Sequence, residues 1–286
     1  MKKISLLLLG LIWAIGLAAS HQAILTVADS LLASGEYYAA ITEYKRFVSY
    51  ESPNPVSSAI HLKIALASRE LADFRGALRY ADKAVYAAET DSLRASHTIE
   101  KAIILMNAGN PSLAEFILFR EARTGRFASV RERASALLGL NYILQSKWLE
   151  AVGAISDFAT LKGMEADAGV LSLLELLNAN SQAGSKDPKL ARRLSTWLPG
   201  LGQFYCGDWR NGVNSLVINA AIIWWFVDSA LKGQLVKLVP IAFLGWKFYQ
   251  GGRARAALIA ERKNRELQTA SVISATELYG ALLEGN

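Results

Sequence analysis

The sequence predicts an all-α protein, a solenoid of paired helices followed by a C-terminal transmembrane helical hairpin. Three observations lead there. Ala40, Ala77, Ala114 and Ala151 stand 37 residues apart in unbroken register, which marks a repeated supersecondary unit. Within each unit the apolar residues fall three and four apart, the period of a helix and not of a strand. The hydrophobic excess, 52% of residues against 20% charged, collects in residues 1–20 and 194–249 instead of spreading along the chain. With 286 residues there is room for a repeat module and a separate membrane module.

Residues 1–20 have the anatomy of a secretory signal. Lys2 and Lys3 give a positive start, Ile4 to Leu17 an apolar run, and Ala18, Ala19 and Ser20 a small-residue cleavage site. The run falls short of the roughly 20 apolar residues that a membrane span takes. Cleavage after Ser20 is expected, with an uncleaved anchor as the alternative. In both cases the chain beyond it is exported.

The repeat region covers residues 21–184. Each unit reads as a first helix, a tight turn and a second helix. In the first unit Ala28, Leu31 and Leu32 lead to the turn Gly35-Glu36-Tyr37, then to Ala40, Ile41, Tyr44 and Phe47, with Pro53 and Pro55 as the stop. The pattern returns around Ala65 and Ala77, around Ala102 and Ala114, and around Gly139 and Ala151. Small residues sit where paired helices cross closely. Tyr37, Phe74 and Trp148, three residues before the alanines, supply a large ring to fill the seam, and Pro111 takes that place in the third unit. Glu165 to Ser181 reads as a fifth first helix.

The stretch from Gly35 to Tyr44, with Gly-Glu-Tyr, then Ala40-Ile41 and Tyr44, resembles the tetratricopeptide repeat family. The period exceeds that family's usual length of about 34 by three residues. The resemblance implies a concave groove lined by first helices that binds a protein or peptide partner. Carried over by register, one groove row is Leu32, Arg69, Met106 and Ile143, and the adjacent row is Ala33, Glu70, Asn107 and Leu144. Arg69, Glu70, Met106, Asn107 and Ile143 are the candidate partner-binding residues. The competing reading makes Met106 core and the Arg69–Glu70 pair a solvated face.

A membrane module is expected over 189–250. Val213 to Leu231 has the length for one crossing, and its Asn214 and Asn219 are costly facing lipid, so they should pack against another helix. Leu235 to Tyr249 is shorter and carries Lys237 and Pro240; it either crosses as the second arm of a hairpin or lies at the interface. Basic residues on its flanks, Arg192, Arg193, Arg210, Arg253 and Arg255 among them, account for much of the +6 formal charge and read as lipid anchors in place of a nucleic-acid surface. Residues 251–286 follow as a basic juxtamembrane helix and tail.

Ahead of the hairpin, Pro199-Gly200-Leu201-Gly202-Gln203-Phe204-Tyr205 and then Gly207 to Gly212 are similar to the bacterial two-transmembrane-helix domain. They are closer still to an envelope family with a Pro-Gly-x-Gly-Gln-x-Tyr signature. Pro199, Gly200, Gly202, Gln203, Tyr205, Gly207 and Gly212 carry the likeness. It implies a bacterial inner-membrane location and a hairpin architecture, and no chemistry.

Catalytic signals are sparse. There is no phosphate loop, dinucleotide fingerprint or nucleophile elbow. His21, His61 and His97 lack companions at metal-ligand spacing. One cysteine, Cys206, excludes an intrachain disulfide. The expectation is a non-enzymatic envelope scaffold without cofactor or metal, bound to membrane lipid, with its repeats on the extracytoplasmic side and self-association through the hairpin as an option. The alternative makes the hairpin the working part, in membrane-protein insertion or transport, with the repeats as its regulator.

Overall fold

The 37-residue period is written in the backbone of four turns. The computed structural model describes residues 22–50 and 57–284. The expected signal over 1–20 and the stop at Pro53 and Pro55 lie outside the described residues. Among the described residues the regular structure is helical throughout. The repeat helices are α1 (Gln22–Ala33), α2 (Tyr37–Tyr50), α3 (Ser57–Glu70), α4 (Phe74–Tyr86), α5 (Asp91–Asn107), α6 (Pro111–Thr124), α7 (Ala128–Leu144) and α8 (Trp148–Lys162).

Between the helices of each pair one residue turns left-handed: Gly35 (φ 79°), Ala72 (56°), Gly109 (73°) and Ser146 (57°). The next amide donates five residues back, Glu36 to Leu31, Asp73 to Ser68, Asn110 to Leu105 and Lys147 to Tyr142, each at 2.9 Å. The left-handed residue itself donates to the carbonyl of Leu32, Arg69, Met106 or Ile143. This pair of bonds is the Schellman closure, which satisfies carbonyls that a helix end leaves orphaned.

The same turn opens the next helix. The carbonyls of Glu36, Asp73, Asn110 and Lys147 accept from the amides of Ala40, Ala77, Ala114 and Ala151. All four alanines are fully buried, so each period-marking residue is both the first donor of a helix and a close-packing contact. Asp73 adds a side-chain cap to the amide of Gly76 at 2.9 Å. Pro111 stands at the first helical position, where no amide donor is needed, which explains how it replaces an aromatic without cost to the helix.

Each helix packs on the next, and the first helices α3, α5 and α7 also touch in succession. Contacts confined to neighbours are what a repeat array predicts. Ala28, Ala65 and Ala102 are fully buried. Ile64, Ile99, Ile104, Leu118 and Ile155 are equally buried, each contributing roughly 1.5–3 kcal/mol. Two buried polar side chains reach backbone carbonyls: His97 Nδ1 lies 3.0 Å from that of Ala84, and Asn141 Nδ2 donates to that of Pro111 at 3.1 Å. Asp29 accepts from Lys63 at 2.6 Å and from the hydroxyl of the buried Tyr44. Burial pushes the Asp29 carboxyl up, but those two bonds and the Lys63 charge prevail and hold it below the usual carboxylate range.

The chain divides into two compact units between Asn178 and Ala179. The division falls inside α9 (Ala168–Gln182) and ahead of Gly184. The second unit continues with α10 (Pro188–Trp197), α11 (Leu201–Tyr205), α12 (Trp209–Leu231) and α13 (Leu235–Glu284). A β-carbon on Gly245 would stand 3.1 Å from Ile222, and one on Gly252 would stand 3.1 Å from Ser215 Oγ. Progress along one helix is thus regress along the other, and α12 and α13 form an antiparallel hairpin. Of the described helices, α12 alone is long and apolar enough to cross a membrane.

Beyond Tyr249 the structure differs from the sequence reading. The second arm, the basic helix and the tail are one helix of 50 residues, not separate segments. Gly251 and Gly252 do not stop it. Neither adopts positive φ, each costs a helix only about 1 kcal/mol, and the Arg- and Ala-rich sequence beyond carries it forward. Ala256, Ile259 and Ala260 then bury against Ala191 and Cys206, which fastens the helix to α10 and the loop after α11.

Candidate functional site

The repeat edge and the hairpin each gather candidate residues. On the edge, Leu32, Arg69 and Met106 are half-buried at the last turn of their helices. Ile143 is a correction: it is fully buried, so it belongs to the core and offers a partner nothing. One residue further round each helix, Ala33, Glu70, Asn107 and Leu144 are all exposed. A step of one residue turns a helix by about 100°, enough to move a side chain from seam to solvent. Arg69 places Nε at 3.0 Å and Nη2 at 2.5 Å from Glu70 Oε1, so these two neutralise each other. The edge thus presents a neutral ion pair, an amide at Asn107 and an apolar side chain at Leu144.

His61 packs beside Tyr80 with ring centroids 5.9 Å apart, and burial together with the Lys83 charge holds its imidazole below the usual range. Among the described residues no three metal-ligating side chains come together.

In the second unit the glycine signature serves close packing. A β-carbon on Gly202 would lie 1.9 Å from the Ala191 carbonyl, and one on Gly212 would lie 2.5 Å from the Phe204 ring. Gly200 (φ 99°) would collide with the Gly212 carbonyl at 2.4 Å if it carried a side chain. Pro199 ends the preceding helix, and Gly207 (φ 75°) turns the chain out of α11. Gln203 is buried and bridges three elements: it accepts from Ser195 Oγ at 3.0 Å and donates to the Gly252 carbonyl at 2.9 Å. Tyr205 accepts from the Asp187 amide at 3.2 Å and carries Lys186 Nζ 4.9 Å over its ring.

Asp208 caps α12, accepting from the Asn211 amide at 3.1 Å and from Asn211 Nδ2 at 2.7 Å. Burial raises this carboxyl, but the Asn211 bonds and the charges of Arg262 and Arg255 outweigh it and keep the group below its ordinary value. Burial pushes the Cys206 thiol up, which makes it a poor nucleophile.

Between α12 and α13 lies a cleft of about 470 Å³. From α12 it is lined by Asn211, Asn214, Ser215, Ile218 and Asn219, a stripe at helical spacing. From α13 come Lys247, Phe248, Gly251, Gly252 and Arg255, and Gln203 completes the lining. No carboxylate lines it, and neither Lys247 nor Arg255 forms an ion pair among the described residues.

The expected packing of Asn214 against another helix is a second correction. Asn214 is exposed and faces the cleft, because Gly251 and Gly252 bring no side chain to meet it. Asn219 is buried, but it satisfies its amide within α12, donating to the Ser215 carbonyl at 2.7 Å. Lys247, Gly251 and Arg255 escaped the sequence reading as a site. Their spacing of four residues, a cation on either side of a glycine, was the available signal.

No known family model matches this chain, and no curated protein matches it either.

Proposed function

We propose that the protein is a non-enzymatic, membrane-anchored scaffold of the bacterial cell envelope. Its helical repeats, read as tetratricopeptide-like, hold a protein or peptide partner, and its hairpin holds the repeats at the inner membrane on the extracytoplasmic side. One observation carries the anchor: the most apolar stretch of α12 is only 11% buried. A soluble core helix of that composition would be covered, whereas Trp224 (70% exposed), Ile223 (62%) and Val217 (58%) face outward. Hydrocarbon is the environment that such a surface fits.

The adaptor half rests on repetition. Four turns with the same hydrogen bonds offer equivalent exposed positions at a fixed interval, and such regularity suits recognition of an extended or helical peptide. Confinement to a membrane raises the effective concentration of whatever it holds.

In-cell photocrosslinking from positions 106 and 107 tests this reading. The expected result is one dominant protein adduct that is lost when Glu70 is replaced by Lys. The opposite result, no adduct there while a probe at the exposed position 223 captures membrane proteins, moves the activity into the hairpin. That second reading, a working hairpin regulated by the repeats, draws its support from the amides and two cations that line the cleft between apolar outer faces. Protease added to spheroplasts tests the side: digestion of the repeats is expected, and protection places them in the cytoplasm.

A further inference from the structure

The cleft between α12 and α13 has a chemistry that the adaptor reading leaves unused. Its lining gathers amides, a hydroxyl and two cations in a region whose outer faces are apolar, and its charges are of one sign. Lys247 and Arg255 stand two helical turns apart on one stripe of α13, about 12 Å along the axis, with Gly251 between them. The missing side chain at Gly251 leaves a notch toward which two long cationic side chains can bend from either end. Opposite the notch stand Asn211, whose Nδ2 donates to Asp208 at 2.7 Å, and the exposed Asn214, whose side-chain amide makes no hydrogen bond among the described residues.

Two cations and a neighbouring amide donor around a notch match the oxygens of a phosphate group. The volume, about 470 Å³, lies within the range of small-ligand sites. The surroundings identify the kind of phosphate. Phe243 (59% exposed) lies beneath Lys247, whose ammonium is 5.6 Å from its ring, and with Trp246 (56%) it adds exposed apolar surface outside the cleft lining. A ligand here has a charged end in the cleft and an apolar end along the outside of the hairpin.

We infer that the cleft binds the phosphate group of an anionic lipid headgroup, with Lys247 and Arg255 as its cations and Asn214 as a hydrogen-bond donor. The assignment to lipid, in place of free phosphate, rests on the reading of α12 as a membrane span. Bound there, the lipid fills the gap that Gly251 and Gly252 leave between the helices.

The test uses the full chain purified in an uncharged detergent, with bound probe counted by native mass spectrometry. The probes are dihexanoyl phosphatidylglycerol, dihexanoyl phosphatidylcholine and inorganic phosphate. The anionic lipid is expected to be retained in preference to the zwitterionic one, and the K247Q/R255Q variant to weaken its retention roughly thirtyfold. Gly251→Leu fills the notch while keeping both charges and should weaken it as well. R75Q/R79Q, which removes two exposed cations of α4 in the repeats, should leave retention unchanged. Displacement of the lipid by inorganic phosphate at equal concentration would keep the site and reassign it to a free anion. Equal retention of the two lipids, or equal loss in R75Q/R79Q and K247Q/R255Q, overturns the proposal. Carbonate extraction of cell membranes tests the underlying reading separately: release of the chain removes the membrane span without altering what the detergent experiment says about the anion.

Discussion

Ala72 and Ser146 hold the same left-handed backbone, φ 56° and 57°, at turns two repeats apart. The other two turns place Gly35 and Gly109 there. A residue with a β-carbon loses roughly 1–2 kcal/mol in this conformation, whereas glycine loses about 0.4–1 kcal/mol more chain entropy on folding. The repeats therefore carry two strained turns out of four.

Ala72→Gly and Ser146→Gly should each stabilise the repeat region by roughly 0.5–1 kcal/mol. Gly109→Ala should destabilise it by a similar amount, and since a β-carbon there would meet nothing within 4 Å, the effect is one of backbone alone. Urea unfolding followed by circular dichroism measures all three. A loss of stability in Ala72→Gly would contradict the strain argument.

Gln203 joins α10 to α13 through Ser195 and the Gly252 carbonyl. Gln203→Leu keeps the bulk, but removes the acceptor of a buried hydroxyl and the donor to a carbonyl, at a cost of about 1–3 kcal/mol. Gly202→Ala should be more damaging, because its β-carbon would meet backbone at 1.9 Å and force α10 and α11 apart. The thermal midpoint of the chain in detergent reports both. A midpoint unchanged by either substitution would mean that the signature loop is not a packing joint.

Cys206 supplies an internal probe of the same joint. It is 3% exposed, it lies 3.9 Å from the Ala256 carbonyl, and burial raises its thiol. Alkylation by a maleimide should be slow in the folded chain and fast in denaturant, and Gln203→Leu should accelerate it. Labelling at the denatured rate under native conditions would show the joint to be open.

His61 makes the repeats sensitive to mild acid. Burial, with the nearby Lys83 charge, holds its folded-state value below the ordinary 6.5. The unfolded chain then binds more protons than the folded chain as pH falls from about 6.5 toward the lowered value. Stability present at neutral pH is lost across that window, and His61→Gln should flatten the loss. Parallel unfolding curves at pH 7.5 and 5.5 for both proteins measure it; an equal pH dependence in the variant would remove His61 as the cause.

Much of the fold was legible in the chain because its signals are local. The period of Ala40, Ala77, Ala114 and Ala151 reflects a turn whose hydrogen bonds span five residues at most, and each turn repeats that geometry unaided. The apolar length of α12 and the glycines at 200, 202 and 212 belong to the same kind of information, since composition and absent side chains act where they stand. The sequence by itself determined the paired helices, their turns and the presence of one helix fit for hydrocarbon.

Tertiary structure decided what depends on a neighbour distant in sequence. Whether Ile143 or Leu144 meets solvent turns on about 100° of helix rotation, and packing alone sets that angle. The residues before and after position 250 read as separate segments, yet α13 runs through them, and Ala256 and Ile259 find a surface on α10 and the loop after α11. Asn214 read as interhelical glue and instead faces a cleft, since the partner positions across the hairpin carry no side chain to receive it. In each case the deciding quantity is the space left by residues far along the chain, which no local pattern records.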